Sequence, residues 1–179
     1  NVTITAPAAP DKGQYGGYIE LTSSRNETVG VPYAGFIGDY QSIVAMPRTA
    51  SGLPALAQLR SWDRFVGNDC TMNGSYRLQP RGSAFGLSDG FDRPYFLVHL
   101  DHQVRSLSLE VTDATTGALV GTAYTVDHVA RNATSTGFFA FAWDGTLADG
   151  SRVPDGTYTI TIKVLKALGD PANSAHVES

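Results

Sequence analysis

Strict alternation of apolar and polar residues is the feature that most constrains the fold of this chain. Two segments, residues 104–112 and residues 158–164, show this alternation most clearly. The apolar residues that alternate are Leu107, Leu109 and Val111 in the first segment, and Tyr158, Ile160, Ile162 and Val164 in the second. Because successive side chains of an extended strand point to opposite faces, a period of two indicates strands with one buried face. No segment shows a helical period long enough for βαβ units, so the chain is predicted to be all-β.

Shorter apolar stretches recur along the rest of the chain and are separated by turn-forming residues. The polar residues 23–27 separate two such stretches near the start of the chain and predict a hairpin over residues 14–31. Residues 31–40 contain Pro32 and two glycines, which is typical of an edge strand. Many short strands joined by turns predict an antiparallel β-sandwich.

Three turn signals follow one another between Trp143 and Tyr158. Asp-Gly pairs occupy residues 144–145 and 149–150, and Pro-Asp-Gly occupies residues 154–156. Glycine accepts a positive φ, and a neighbouring carboxylate can cap its own turn. Three acidic residues in one region also suit calcium, but the distal Glu of an EF-hand loop is absent, so turn formation is the favoured interpretation. Trp143 and Tyr158 are expected to pack as large anchors across the sheets.

Residues 47–94 lose the strand rhythm and contain four prolines. Pro54 followed by an Ala- and Leu-rich stretch allows a short helix at residues 54–59. The remainder reads as a long connection, either a functional loop or a linker draped over a sheet and held by Trp62, Phe65 and Phe85. The draped linker is the favoured interpretation.

Composition excludes two classes of partner. The chain has 179 residues, 42% of them hydrophobic, which is enough for a packed core without metal or cross-links. Its net charge is −4 and it has no run of Lys or Arg, so the basic surface that nucleic-acid binding needs is missing. Apolar stretches stay well below the roughly 20 residues of a membrane-spanning helix.

Cys70 and the glycosylation sequons bear on the cellular compartment. Cys70 is the single cysteine, so it is either a free thiol or a bridge to another part of a parent protein, and its loop-like surroundings favour the free thiol. Four N-x-[ST] sequons favour a secreted, extracellular protein, with the glycosylation candidates at Asn1, Asn26, Asn73 and Asn132.

The residue patterns point to no catalytic, metal or cofactor site. His99 and His102 fall on opposite faces of a strand, which makes them a poor zinc pair. Asp101 precedes His102, but no serine stands in a nucleophile context. Asp39, Asp63 and Asp92 are scattered among turns, and no phosphate-binding glycine motif is present.

Three aromatic residues in turn-like contexts, Tyr76, Phe91 and Tyr95, are candidates for stacking on sugar faces. They are the basis of the alternative function, a secreted carbohydrate-binding, lectin-like β-sandwich that has glycans as partners. For each of them, packing in the core is the favoured role.

Several motifs resemble one protein family. Y-G-G-Y-I-E-L at residues 15–21 and V-P-Y-A-G-F-I-G-D-Y at residues 31–40 are similar to the fibronectin-III-like region that follows the catalytic domain in subtilisin-like serine proteases, a group that includes C5a peptidases, lactocepins and fungal subtilases. Residues 141–146, 153–158 and 166–170 resemble its second half in fungal members. The similarity spans nearly the whole chain and is weakest over residues 47–88.

This resemblance implies a domain division and a function. The fold would be an antiparallel β-sandwich of the fibronectin-III or immunoglobulin type, either as one sandwich or as two packed sandwich modules. Residues 1–46 would be the C-terminal strands of a first sandwich, residues 47–94 a linker or draped loop region, and residues 95–179 a second sandwich. The chain would be a non-catalytic accessory module that braces the catalytic domain or shapes substrate access. The family's triad lies in a separate upstream domain, so no catalytic residue carries over. The chain also looks like a fragment whose open sheet edge meets the parent's catalytic domain or another copy of itself.

Overall fold

The fold of the chain is all-β, as the alternating patterns predict. A computed structural model describes residues 2–5, 8, 11–66, 70–72, 74–87 and 92–179. Within these residues the chain forms twelve β-strands and two three-residue 3-10 helices, and no helix is long and apolar enough to cross a membrane. The chain divides into two compact units, residues 1–43 and residues 44–179.

Unit 1 contains an antiparallel hairpin. Strand β1 (Gln14–Thr22) pairs over its whole length with β2 (Thr28–Phe36), and a 3-10 helix follows at Tyr40–Ser42. In the connecting turn the N–H of Ser23 donates to the carbonyl of Glu27 at 2.8 Å, and Asn26 takes a positive φ of 61°. The predicted hairpin is confirmed, and residues 31–36 of the predicted edge strand are the second part of β2, which ends at Phe36 and lies at an edge of the two-stranded sheet.

Unit 2 contains the remaining strands. Their bounds are β3 (Ala55–Ser61), β4 (Arg64–Val66), β5 (Cys70–Met72), β6 (Ser75–Leu78), β7 (Pro94–Val98), β8 (Val104–Asp113), β9 (Leu119–Val129), β10 (Phe139–Ala142), β11 (Tyr158–Lys166) and β12 (Val177–Glu178). The second 3-10 helix spans Ser174–His176. Two four-stranded sheets have the orders β10-β7-β3-β6 and β12-β11-β8-β9, and β4 pairs with β5.

The main core of unit 2 lies between the two four-stranded sheets. Leu107, Leu109 and Val111 of β8 are fully buried in it, together with Phe96 and Val98 of β7. All four apolar residues that alternate in β11 pack against the same core: Tyr158, Ile160, Ile162 and Val164. Both alternating segments therefore present the faces that their sequence predicts, and the sandwich is held by apolar burial between its layers.

Residues 47–94 differ from the expected linker. Strand β3 pairs with β7 in the register Ala57 to Tyr95, and β6 pairs with β3, so both lie inside a core sheet. The expected helix at residues 54–59 is wrong because these residues form β3. Leu56 packs into the main core while Ala57 points to the other face. A strand buried on both faces has no polar alternation, and packing on both sides overrides the helical preference of Ala and Leu.

A second, smaller core covers the other face of the β10-β7-β3-β6 sheet. Its buried members are Leu53, Ala57, Tyr95, Leu97 and Ala142. Every residue of β7 is buried, since alternate side chains serve the two cores. β7, one of the two inner strands of this sheet, is therefore closed to solvent on both sides.

Candidate functional site

The aromatic residues proposed for sugar stacking do not form a ligand platform in the described structure. Tyr95 is fully buried in the second core, which corrects its assignment as a stacking residue. Its ring lies 5.4 Å from that of Tyr76, and the Tyr76 ring lies 5.8 Å from that of Phe138 in an edge-on arrangement. Phe91 lies outside the described residues. Tyr76 and Tyr95 take the favoured role of core packing.

Two of the four sequon asparagines fall in the described residues, and they sit in different surroundings. Asn26 is exposed in the hairpin turn. Asn132 is half-buried, and its side-chain carbonyl accepts a 2.7 Å hydrogen bond from the N–H of Leu100 while its own N–H donates to the Leu100 carbonyl at 2.8 Å. Asn132 therefore holds the backbone of Leu100 in place, in addition to being the asparagine of a sequon. Asn1 and Asn73 lie outside the described residues, and glycosylation stays a prediction.

Carboxylates in the turns between β10 and β11 cap their own turns. The Oδ1 of Asp144 accepts from the N–H of Thr146 at 2.9 Å. The Oδ1 of Asp149 accepts from both the N–H and the hydroxyl of Ser151, at 2.9 and 2.6 Å, and these bonds lower the pKa of Asp149. The glycines that follow, Gly145 and Gly150, have positive φ values of 88° and 84°. The predicted turn chemistry is confirmed.

Trp143 anchors this region to the core. Its side chain is 6% exposed, and its indole N–H donates to the carbonyl of Thr146 at 2.8 Å. The Tyr158 ring meets it edge to face, with centroids 6.3 Å apart and planes at 88°, and the Tyr158 hydroxyl donates to the carbonyl of Pro154 at 2.7 Å. The two aromatic residues therefore pack together as predicted and also tie down both ends of the turns.

A shallow depression of about 170 Å³ opens beside Trp143, and Tyr124 and Asp144 are among the residues that line it. The Oδ1 of Asp144 already caps the turn, as described above. The depression is thus a surface feature of the anchored turn region.

A buried histidine, His99, forms a polar cluster in unit 2. His99 follows β7 and is 4% exposed. Its Nδ1 lies 2.6 Å from the carbonyl oxygen of Gly137, and its Nε2 lies 2.8 Å from Oδ1 of Asp101. Both partners accept, so only the imidazolium, which donates from both nitrogens, satisfies both contacts. The bond to Gly137 and then the bond to Asp101 raise the pKa of His99, and burial opposes them.

This cluster was not predicted from the sequence, in which Asp101 is adjacent to His102 and was paired with it instead. A histidine at the end of an apolar strand, with a carboxylate two residues later, was the available local signal. Gly137 lies 38 residues from His99, and nothing in the sequence connects the two.

Glu178 joins two distant segments of unit 2. Its carboxylate accepts from the N–H of Ala45 at 2.9 and 3.1 Å and from the N–H of Met46 at 2.8 Å. The Nζ of Lys166 lies 3.4 Å from its Oε1. The carbonyl of Ala45 in turn accepts from the N–H of Asp101 at 3.0 Å, so the cluster around His99 and the one around Glu178 meet at Ala45.

This polar arrangement holds loops in place. Both ring nitrogens of His99 face acceptors, so neither is free to serve as a general base. In unit 1, Asp39 caps the first 3-10 helix through a 2.9 Å bond from the N–H of Gln41. In the part of the chain that the structure describes, no three His, Cys, Asp or Glu residues gather closely enough to hold a metal ion. The side chain of Cys70 lies outside that part.

The comparison with protein families supports the sandwich architecture. A family model described as the FlgD Ig-like domain matches residues 84–167, which include β7 to β11. This part of the chain is Ig-like. The match fits a module of the immunoglobulin or fibronectin-III type, and domains of this kind are typically non-catalytic. The matched residues cover less than half of the chain. No curated protein matches the chain.

Proposed function

We propose that this chain is a non-catalytic β-sandwich module of a larger secreted protein, and that it braces the catalytic domain of a subtilisin-like serine protease. One observation carries the non-catalytic part. In unit 2 the side chains of His99 and Glu178 are bonded to backbone groups of other loops, and the carboxylate of Asp101 is bonded to His99. A module in which such side chains hold the loops in place is suited to a structural role.

The association with a protease rests on the sequence resemblance. The V-P-Y-A-G-F-I-G-D block lies on β2 and just beyond it, and the W-D-G and P-D-G motifs form the anchored turns between β10 and β11. Secretion is supported by the four sequons. The Ig-like match supports the sandwich module and is neutral on the parent protein.

Two measurements test this proposal. The purified chain is incubated with casein and with a chromogenic peptide, and we expect no turnover that a serine-protease inhibitor abolishes; inhibitor-sensitive turnover would refute the non-catalytic role. The native protein is then captured with an antibody against the chain and analysed by mass spectrometry. We expect a subtilisin-like catalytic sequence in the same polypeptide or complex, and its absence overturns the protease association.

The lectin-like alternative receives no support from the geometry, because Tyr95 is buried and Tyr76 packs against it. A glycan array with the purified chain separates the alternatives. Specific binding to one class of glycan favours the lectin, and its absence leaves the bracing module.

A further inference from the structure

The outer edge of β1 in unit 1 has no strand partner among the described residues. β1 pairs with β2 alone, in a two-stranded sheet. Two-stranded hairpins are marginally stable by themselves, and a third or fourth strand with an apolar face stabilises them. An edge strand presents a row of unpaired N–H and C=O groups to such a partner.

The hydrogen bonds at the two ends of the hairpin show which residues of β1 face outward. The N–H of Ser23 donates to Glu27 at 2.8 Å, and at the other end the N–H of Ile37 donates to Gly13 at 2.9 Å. Inward and outward residues alternate along an antiparallel pair. Odd-numbered residues of both strands therefore bond inward, and the residues of β1 that direct their backbone groups outward are Gln14, Gly16, Tyr18, Glu20 and Thr22.

Pro32 supports this assignment and distinguishes the two edges of the hairpin. It lies opposite Tyr18 at the middle of β2, a position that faces outward, where a residue without an N–H is tolerated. The outer edge of β2 therefore lacks a donor at its centre, which protects it against pairing. β1 contains no proline, and Glu20 is its one charged residue.

Exposed apolar side chains lie on both faces of the hairpin. On β1 itself, Tyr18 is 73% exposed on one face and Leu21 is 54% exposed on the other, and Val29 of β2, opposite Leu21, is 61% exposed. In unit 2, by contrast, the edge of β9 is partly covered, because the Thr122 carbonyl accepts from the N–H of Ala148 at 2.9 Å. Strand β1 thus combines an edge that has no strand partner among the described residues with apolar side chains, Tyr18 and Leu21, that a further strand would contact.

We propose that β1 pairs in antiparallel register with β1 of a second copy of this chain, across a two-fold axis at Tyr18. In this register all nine residues of each strand overlap, and the outward residues bond to each other. Tyr18 of one copy lies opposite Tyr18 of the other, where two aromatic rings form a favourable cross-strand pair. The product is a four-stranded sheet in which each copy contributes two strands.

Charge and side-chain size select this register and favour a second copy as the partner. Glu20 of one copy lies opposite Gly16 of the other, so the two carboxylates do not face each other. A register centred on Glu20 would oppose like charges and shorten the overlap. On the other face Tyr15 lies opposite Leu21 and Gly17 opposite Ile19, so the apolar face continues across the axis. This proposal goes beyond the bracing function and does not depend on it.

Sedimentation velocity of the whole chain over a wide concentration range tests the proposal, with a thiol reductant present so that Cys70 cannot bridge two copies. We expect a concentration-dependent dimer. Tyr18→Pro removes one outward N–H, as Pro32 does on β2, and should abolish the dimer. The matched variant Tyr18→Thr loses the same ring but keeps the N–H and should still dimerise. A monomer at every concentration, or dimerisation of Tyr18→Pro like the unchanged chain, overturns the proposal.

Amide hydrogen exchange of the unchanged chain reports the register without any substitution. At high concentration the N–H groups of Gly16, Tyr18 and Glu20 should gain protection. Those of Gly17 and Ile19, which bond to β2, should be equally protected at both concentrations. A dimer in which the even-numbered amides gain no protection assembles through another surface and also overturns the proposal.

Discussion

His99 and Asp101 form a 2.8 Å contact that joins a buried imidazole to a solvent-facing carboxylate. The other ring nitrogen of His99 meets the carbonyl of Gly137, so the charged form of the ring clamps two loops at once. The Asn132 bonds to Leu100 hold the same loop without any titrating group. The contact between His99 and Asp101 contains titrating groups, and the contact between Asn132 and Leu100 contains none.

The first prediction concerns the pH dependence of the free energy of unfolding. The pKa of His99 is raised in the folded chain. The contribution of His99 to the free energy of unfolding is therefore fully present below the unfolded pKa of about 6.5 and is lost as pH rises through the folded pKa. The stability difference between the unchanged chain and His99→Gln should therefore be largest near about pH 5 and shrink toward about pH 9. Urea unfolding at each pH measures it.

The difference in unfolding free energy between the unchanged chain and His99→Gln does not include the titration of the other histidines, because both proteins contain them. Asp101→Asn serves as a second variant, since it removes the charge and leaves the bond to Gly137. Its pH dependence should be weaker than that of the unchanged chain and stronger than that of His99→Gln. A difference between the unchanged chain and His99→Gln that stays constant over this pH range contradicts the clamp.

The second prediction concerns Glu178, whose side chain is 16% exposed. Glu178→Ala leaves the N–H groups of Ala45 and Met46 without an acceptor, which should cost about 1 to 3 kcal/mol of stability. Glu178→Gln keeps one acceptor oxygen and should cost less. Urea unfolding monitored by circular dichroism measures both. The exposed Glu20→Ala is the control, and an equal effect at the two positions would show that Glu178 does not join the segments.

The third prediction separates the structural task of Asn132 from its sequon. In a host that does not glycosylate, Asn132→Ala should destabilise the chain by about 1 to 3 kcal/mol, because the N–H of buried Leu100 loses its acceptor. Asn132→Asp keeps an acceptor oxygen and should be nearly neutral. Thr134→Ala removes the sequon without touching this bond. Thermal unfolding of the three variants checks the order, which fails if Asn132→Asp is as damaging as Asn132→Ala.

The fourth prediction concerns Trp143. Trp143→Ala empties a buried position and removes the indole donor to Thr146, so the loss should be about 3 to 5 kcal/mol. Trp143→Phe keeps an aromatic ring against Tyr158 and should lose clearly less. Urea unfolding followed by the fluorescence of Trp62 compares the two variants. Equal losses would mean that the ring packing contributes little.

Local patterns were sufficient to predict several parts of this fold. The alternation in β8 and β11 identified the buried faces, because each strand alternates within a few residues. The hairpin turn at residues 23–27 and the Asp-Gly turns were also predictable, since turn residues act on their own backbone. In all these cases the signal and its structural consequence lie within about ten residues of each other.

The residues whose roles depend on distant segments were misread or missed. The stretch around Ala57 looked helical because its apolar residues do not alternate with polar ones, and only pairing with β7 makes it a strand. Tyr95 was a candidate for sugar stacking beside its favoured role in the core, and it is fully buried because β3 and β10 flank its strand and Tyr76 of β6 packs against its ring.

The sequence by itself therefore determined the all-β class, the alternating faces of β8 and β11 and the chemistry of the turns, because these depend on neighbours along the chain. The tertiary structure alone decided that β3 and β6 join the core sheet, that a second core lies on its other face, and that the ring nitrogens of His99 face the carbonyl of Gly137 and the carboxylate of Asp101. Those outcomes arise from contacts between residues tens of positions apart. Such contacts form only when burial of apolar surface brings the segments together.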